Sequence, residues 1–132
     1  MNPFIYEICE YAAGNIPQLS FGSGDTNLKI GDLFSAANGV IAVQSPSVAP
    51  DLYTPIRTIS IDFYAHNNNS TTAFGQLQDI YDLFHQAHHF DTDSYRVFFS
   101  YAAQDIQDLD RDTDGSKVLR LSVVYILASL IS

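Results

Sequence analysis

Hydrophobic and polar positions alternate through Pro55–Ala65 (PIRTISIDFYA) and then change period after a polar break, HNNNST. In the first part Ile59, Ile61, Phe63 and Ala65 share one face while Thr58, Ser60, Asp62 and Tyr64 share the other, the period of a half-buried strand. Past the break, Phe74, Leu77, Tyr81, Phe84 and His88 follow steps of three and four, joined by Ala73, Ile80 and Ala87. Gln76, Gln78, Asp79, Asp82 and Gln86 then face away, so the spacing predicts one amphipathic helix running on to Phe90. Strand and helix would share a core.

On either side of this unit the same reasoning gives weaker elements. Asn2 before Pro3 is a helix start, because the amide side chain accepts from free backbone N–H groups and proline loses nothing at the first helical position. Phe4, Ile5, Ile8, Cys9, Tyr11 and Ala12 form an apolar side, and Gly14 with Asn15 stops the helix near Ala13. Turn formers fill Ile16 to Thr26, Leu28 to Asp32 reads as a brief extended piece, and Gly39 to Gln44 as a better strand. A stiff segment, SPSVAPDLYTP, follows; prolines 46, 50 and 55 keep it from being helical. Later, Tyr95, Val97, Phe99 and Tyr101 line one face of a strand, and Leu119, Leu121, Val123, Tyr125 and Leu127 one face of a longer strand. That last strand is apolar on both faces at Val124 and Ile126, which predicts a central place in the sheet or cover from another subunit. AQDIQDLDRDTDGS between them suits the connection of an antiparallel hairpin. The expected architecture is α+β: two layers, a mostly antiparallel sheet of about four strands, with a long helix and a short N-terminal helix packed on it.

Composition narrows the picture. The 132 residues make one domain, 1–132, with 46% hydrophobic and only 16% charged residues, which favours an assembly subunit over a freely diffusing monomer. Six Lys and Arg against 15 Asp and Glu give a net charge of -9, too few cations to wrap a phosphate backbone. Cys9 is the single cysteine, so no intramolecular disulfide forms, and its place on the first helix reads as core. Glu7 and Glu10 in the N-terminal segment are unlike a secretory signal, and the apolar run Val123–Ile131 is too short for a membrane helix. The expectation is a soluble protein made in a cytoplasm, with no membrane partner.

Three patterns touch on chemistry. Asp110, Asp112, Asp114 and Gly115 reproduce the first half of a calcium loop, but the position of the closing glutamate is Leu121, a core-strand residue. An acidic hairpin loop, extended by Asp105 and Asp108, is the preferred account: five of the fifteen acids lie within ten positions. His85, His88 and His89 precede Asp91 and Asp93; His85 and His89 would be one turn apart on the helix, yet no glutamate completes a zinc-hydrolase spacing. Nothing resembles a nucleophile elbow, and FGSG lacks the lysine of a phosphate loop. No catalytic residue, metal ligand or cofactor is therefore assigned. Tyr53, Tyr64, Tyr95, Tyr101 and Tyr125 read as strand residues, some at an interface.

The order and texture of NGVIAVQ, its proline-rich loop, TISIDFYA, QLQDIYDLFHQ and the closing SYRVFFSYAAQDIQDLDRDTDGSKVLRLSVVYIL resemble the tail-completion or tail-terminator proteins of long-tailed bacteriophages, from about Gly39 onward. The resemblance implies a structural virion protein and no enzyme: a hexameric ring closing the head-proximal end of the tail tube and meeting the head connector. Its implied partners are further copies of itself, the tail tube protein and a head-completion or connector protein, with DNA passing unbound. On that reading the acidic loop with Asp105, Asp108, Asp110, Asp112 and Asp114 is a candidate for the lumen or a ring joint. The loop with Pro46, Pro50, Asp51 and Tyr53 is a candidate inter-subunit contact. A head or distal-tail adaptor, and a small metal-binding enzyme using His85, His89, Asp91 and Asp93 or the Asp110–Asp114 loop, are the alternatives.

Overall fold

The computed structural model describes residues 3–22, 26–31, 39–45, 56–111 and 117–130. In chain order the elements are α1 (Phe4–Asn15), β1 (Leu28–Ile30), β2 (Gly39–Gln44), β3 (Arg57–Asn67), α2 (Ser70–Phe84), β4 (Ala87–Asp91), β5 (Tyr95–Ala102), β6 (Gln107–Arg111) and β7 (Lys117–Ser129). The strands form one seven-stranded sheet in the order β1-β2-β3-β7-β5-β4, with β6 also against β7. β1 runs parallel to β2 and every other pairing is antiparallel. The expected four-stranded, mostly antiparallel sheet under a long helix is thus replaced by a mixed sheet of seven strands with two helices.

Both helices cover one face. Ile59, Ile61, Phe63 and Ala65 of β3 lie opposite Tyr125, Val123, Leu121 and Leu119 of β7, and all eight are buried. Phe84 of α2 stacks on Phe63 and meets Tyr125 edge-on, while Phe4 of α1 meets Tyr95 and Tyr125 edge-on. β7 is central: β3 pairs along one side of it, and β6 and β5 share the other, β6 at Lys117–Arg120 and β5 from Val123 onward. The predicted strands over β2, β3 and β7 hold, because each presents an unbroken apolar row.

Three departures separate this sheet from the expected one, two of them adding strands. α2 ends at Phe84, not Phe90, through His85 in an extended conformation and Gln86 at φ 57. The stop is tertiary: the Ser100 hydroxyl donates to the Phe84 carbonyl at 2.6 Å, and the Ala102 N–H donates to His85 Nδ1 at 3.1 Å. Residues 87–91 become β4, with His89 at φ 48 interrupting its ladder. The register of β5 shifts between Val97 and Phe99, so Tyr95, Val97 and Ser100 turn inward while Phe99 and Tyr101 lie opposite Ile126 and Val124 on the other face. Finally, Gln107–Arg111 of the supposed loop pairs with β7 as β6.

Local chemistry sets the other boundaries. The Asn69 side chain caps α2, accepting from the Thr71 and Thr72 N–H groups at 3.0 and 3.2 Å. α1 extends to Asn15, whose side chain donates back to the Tyr11 carbonyl, and its first described flank, Pro3, supplies no side-chain cap. Gly39 opens β2 at φ 151, where a Cβ would lie 2.5 Å from the Asn27 carbonyl oxygen. That oxygen accepts from Val40 N–H at 2.7 Å, so the close approach is itself a bond of the fold.

Candidate functional site

Among the described residues the predicted metal candidates His85, His89, Asp91 and Asp93 are not gathered at one point. His85 sits at the end of α2, its ring stacked on Tyr81 and its Nδ1 occupied as an acceptor, which fixes the other nitrogen as the one carrying hydrogen. His88 lies on the opposite sheet face against Phe99, and His89 meets Phe98 edge-on. The helical turn expected to bring His85 and His89 together does not exist, because Gln86 breaks it. Asp91 is held by Arg96 through Nε at 3.0 Å and Nη2 at 3.2 Å, and that guanidinium lowers the Asp91 pKa. Asp93 instead lines a cavity of about 230 Å³ with Glu7, Glu10, Tyr11, Asp91 and Thr92. Among the described residues no group of three or more His, Cys, Asp or Glu is arranged to hold a metal, and no helix is long and apolar enough to cross a membrane.

Of the acidic hairpin, Asp105 and Asp108 are described. Asp105 accepts from the Ile106 N–H, and Asp108 pairs with Lys117 across the ladder at 2.7 Å, a local offset beyond the expected Arg111. Asp110 belongs to β6, while Asp112 and Asp114 lie outside the described residues. Pro46, Pro50, Asp51 and Tyr53 also lie outside them.

Several polar residues were missed by pattern reasoning. Glu7 is buried on α1, where it accepts from the Ser94 N–H at 2.7 Å and the Thr92 hydroxyl at 2.8 Å, tying α1 to the β4–β5 turn. On the helix-free face, Asp62 accepts from the Ser122 hydroxyl at 2.6 Å and from Arg120 at 3.1 Å, and the Arg120 guanidinium lies 5.9 Å from the Tyr64 ring centre. The facing positions of β3 and β7 could have pointed to the pair, since Asp62 and Ser122 are register partners.

Two surface properties remain. All six Lys and Arg residues lie in strands, whereas α1 and α2 carry Glu7, Glu10, Asp79 and Asp82 and no cation. The helix-free face is closed over β2 and β3, where Ile41, Asp62 and His66 are buried, but Phe99, Tyr101, Val124 and Ile126 form a half-exposed cross-strand patch over β5 and β7. These are features of a contact surface more than of a reaction centre.

Residues 25–128 match the family model described as bacteriophage tail terminator protein, a span from before β1 to the end of β7 but for its last residue. No curated protein matches the chain.

Proposed function

The chain belongs to the bacteriophage tail terminator family, structural proteins of the phage tail, and on that premise we propose that its copies form a ring that caps the tail tube and joins it to the head connector. The observation that carries this reading is the family match itself, which takes in all seven strands and α2. Charge placement supports a passage for DNA without specific binding: the helix layer has no cation to hold phosphate, and the net charge is -9. The role is shape and contact at the head–tail junction, reached by assembly in the host cytoplasm, with no catalysed reaction.

Within this reading the hairpin carrying Asp105, Asp108, Asp110, Asp112 and Asp114 faces the lumen or a neighbouring ring, and the loop carrying Pro46, Pro50, Asp51 and Tyr53 meets a neighbouring subunit or the tube. Both assignments follow from composition. Light scattering over a range of protein and salt concentrations, with negative-stain images of the same sample, tests the ring; rings of about six copies are expected for such a closed assembly. Addition of the protein to unfinished tails and filled heads tests the role, and failure to restore their joining would count against it.

A further inference from the structure

The outward face at the C-terminal end of α2 carries an electrostatic cost that no cation among the described residues offsets. Asp79 and Asp82 stand three residues apart, so both carboxylates lie on one side of the helix, where like charges repel. Asp82 is also in the last turn, whose free carbonyls are already negative, and that turn holds no base. The hydrogen-bond partners of the two acids are neutral amides: Gln78 donates to Asp82 at 2.9 Å, and Gln18 donates to Asp79. Each amide occupies one carboxylate oxygen and leaves the charge in place. Beside the acids, the end of α1 completes an open groove of about 320 Å³ lined by Asn15, Ile16, Pro17, Asp79, Asp82 and Leu83. The groove therefore joins negative charge to apolar surface, with Pro17 exposed and Leu83 half-buried.

Few cations are free to meet this face. Arg96 is paired with Asp91, Lys117 with Asp108 and Arg120 with Asp62. Lys29 and Arg57 are both exposed and in no ion pair among the described residues. Arg57 opens β3, an inner strand, on the helix-covered side opposite Leu127. Lys29 stands instead on β1, the outer strand at one end of the sheet. Its register partner is Ile41, which pairs with Tyr64, so Lys29 belongs to the helix-free face. Next to it, Ile30 is 41% exposed. The β1 edge thus joins positive charge to apolar surface, the complement of the groove. Within one molecule the two lie on opposite sides of the sheet.

We propose that the β1 edge of one copy docks on the α2 face of a second copy, head to tail. The Lys29 ammonium enters the groove between Asp79 and Asp82 and donates to the carboxylate oxygens that Gln18 and Gln78 leave open, while Ile30 rests on Pro17 and Leu83. An ammonium there relieves the repulsion between the two acids and suits the negative end of the helix. The contact is heterologous, the kind that closes into rings, and it rests on the ring reading above while specifying which surfaces meet.

The test uses Lys29→Glu and Asp82→Lys, both at exposed positions, with self-association followed by sedimentation. Lys29→Glu is expected to keep the unfolding transition of the wild type and to weaken self-association about tenfold or more, the scale of a lost interfacial charge pair. Asp82→Lys separates folding from docking: a cation in the last turn of α2 should raise the melting temperature, yet self-association should weaken to a similar extent. An equimolar mixture of the two variants is expected to associate, since Lys29 of one still meets Asp79 and Asp82 of the other. Arg57→Glu should associate like the wild type. Either groove or edge variant assembling like the wild type, a mixture no tighter than its components, or an Arg57→Glu protein that alone loses association would each overturn the contact and leave the ring reading standing. An Asp82→Lys protein that assembles normally but fails to join tails to heads would give this face to another tail or head component, and overturn the contact too. A wild type that stays monomeric at every concentration overturns the contact, and if it also fails to join tails to heads the ring reading goes with it.

Discussion

Tyr125 is the largest fully buried side chain, and its hydroxyl has no hydrogen-bond partner among the described residues. Replacing it with phenylalanine keeps the ring contacts, with Phe4 and Phe84 each at 5.3 Å between centroids and edge-on. What changes is the buried oxygen. An unsatisfied buried polar group costs about 1–3 kcal/mol. Against that, the space left by one oxygen, roughly 10 Å³, costs about 0.2 kcal/mol at the usual cavity coefficient. Tyr125→Phe is therefore expected to stabilise the protein by about 1 kcal/mol. For 132 residues that corresponds to a melting temperature higher by about 3–4 °C. Urea unfolding should show a higher midpoint with an unchanged slope. A loss of 1 kcal/mol or more would refute the reasoning, because it would mean that the hydroxyl is bonded in the folded protein.

Three further outcomes follow from neighbouring features. Ser100→Ala removes the donor that reaches the Phe84 carbonyl and should cost about 1–2 kcal/mol by the same urea measurement, with increased amide exchange at the α2–β4 corner. Gly39→Ala forces a Cβ toward the Asn27 oxygen at a left-handed φ and should cost about 3 kcal/mol or more, read as a lowered melting temperature. Burial pushes the Cys9 thiol from 9.0 up to about 12. The folded state then holds a proton that the unfolded state releases, so stability is full below pH 9 and falls as pH rises toward 12. The slope is about 1.4 kcal/mol per unit, and it should be absent from Cys9→Ala and so appear as the difference between wild type and Cys9→Ala across that window.

Much of the centre of this molecule was legible from the sequence, and the edges were not. Ile59 to Ala65 and Leu119 to Leu127 alternate without a break, and the sheet buries those rows as written. β4 was hidden because Ala87 and His88 continue the step of the preceding helix; only the bonds from Ser100 and Ala102, made across the sheet, stop α2 at Phe84. β6 was hidden by its polarity, since Gln107 and Asp108 gain their ladder from β7 and contribute little apolar surface. In β5 a single shift of register turned Phe99 and Tyr101 away from the core and Ser100 into it, an outcome no alternation rule anticipates. The histidine form of the metal reading failed because its geometry required His85 and His89 to share a helix that Gln86 ends. Family texture succeeded where chemistry was silent, because the order of strands and helix is itself the recognisable feature.

β7 is the middle of the sheet but is made after every other strand. Ser122 lies 60 residues beyond Asp62, the side chain it binds. At about 5–20 residues per second, a ribosome needs roughly 3–12 s to deliver it. Throughout that interval β3 has β2 on one side and nothing on the other, and once β5 is made it has only β4. The nascent chain thus carries two open strand edges at once, and slower translation lengthens their exposure to mispairing. Yield of native protein should depend on how quickly β7 follows β5, and the sheet surface over β5 and β7 comes into being only when β7 arrives.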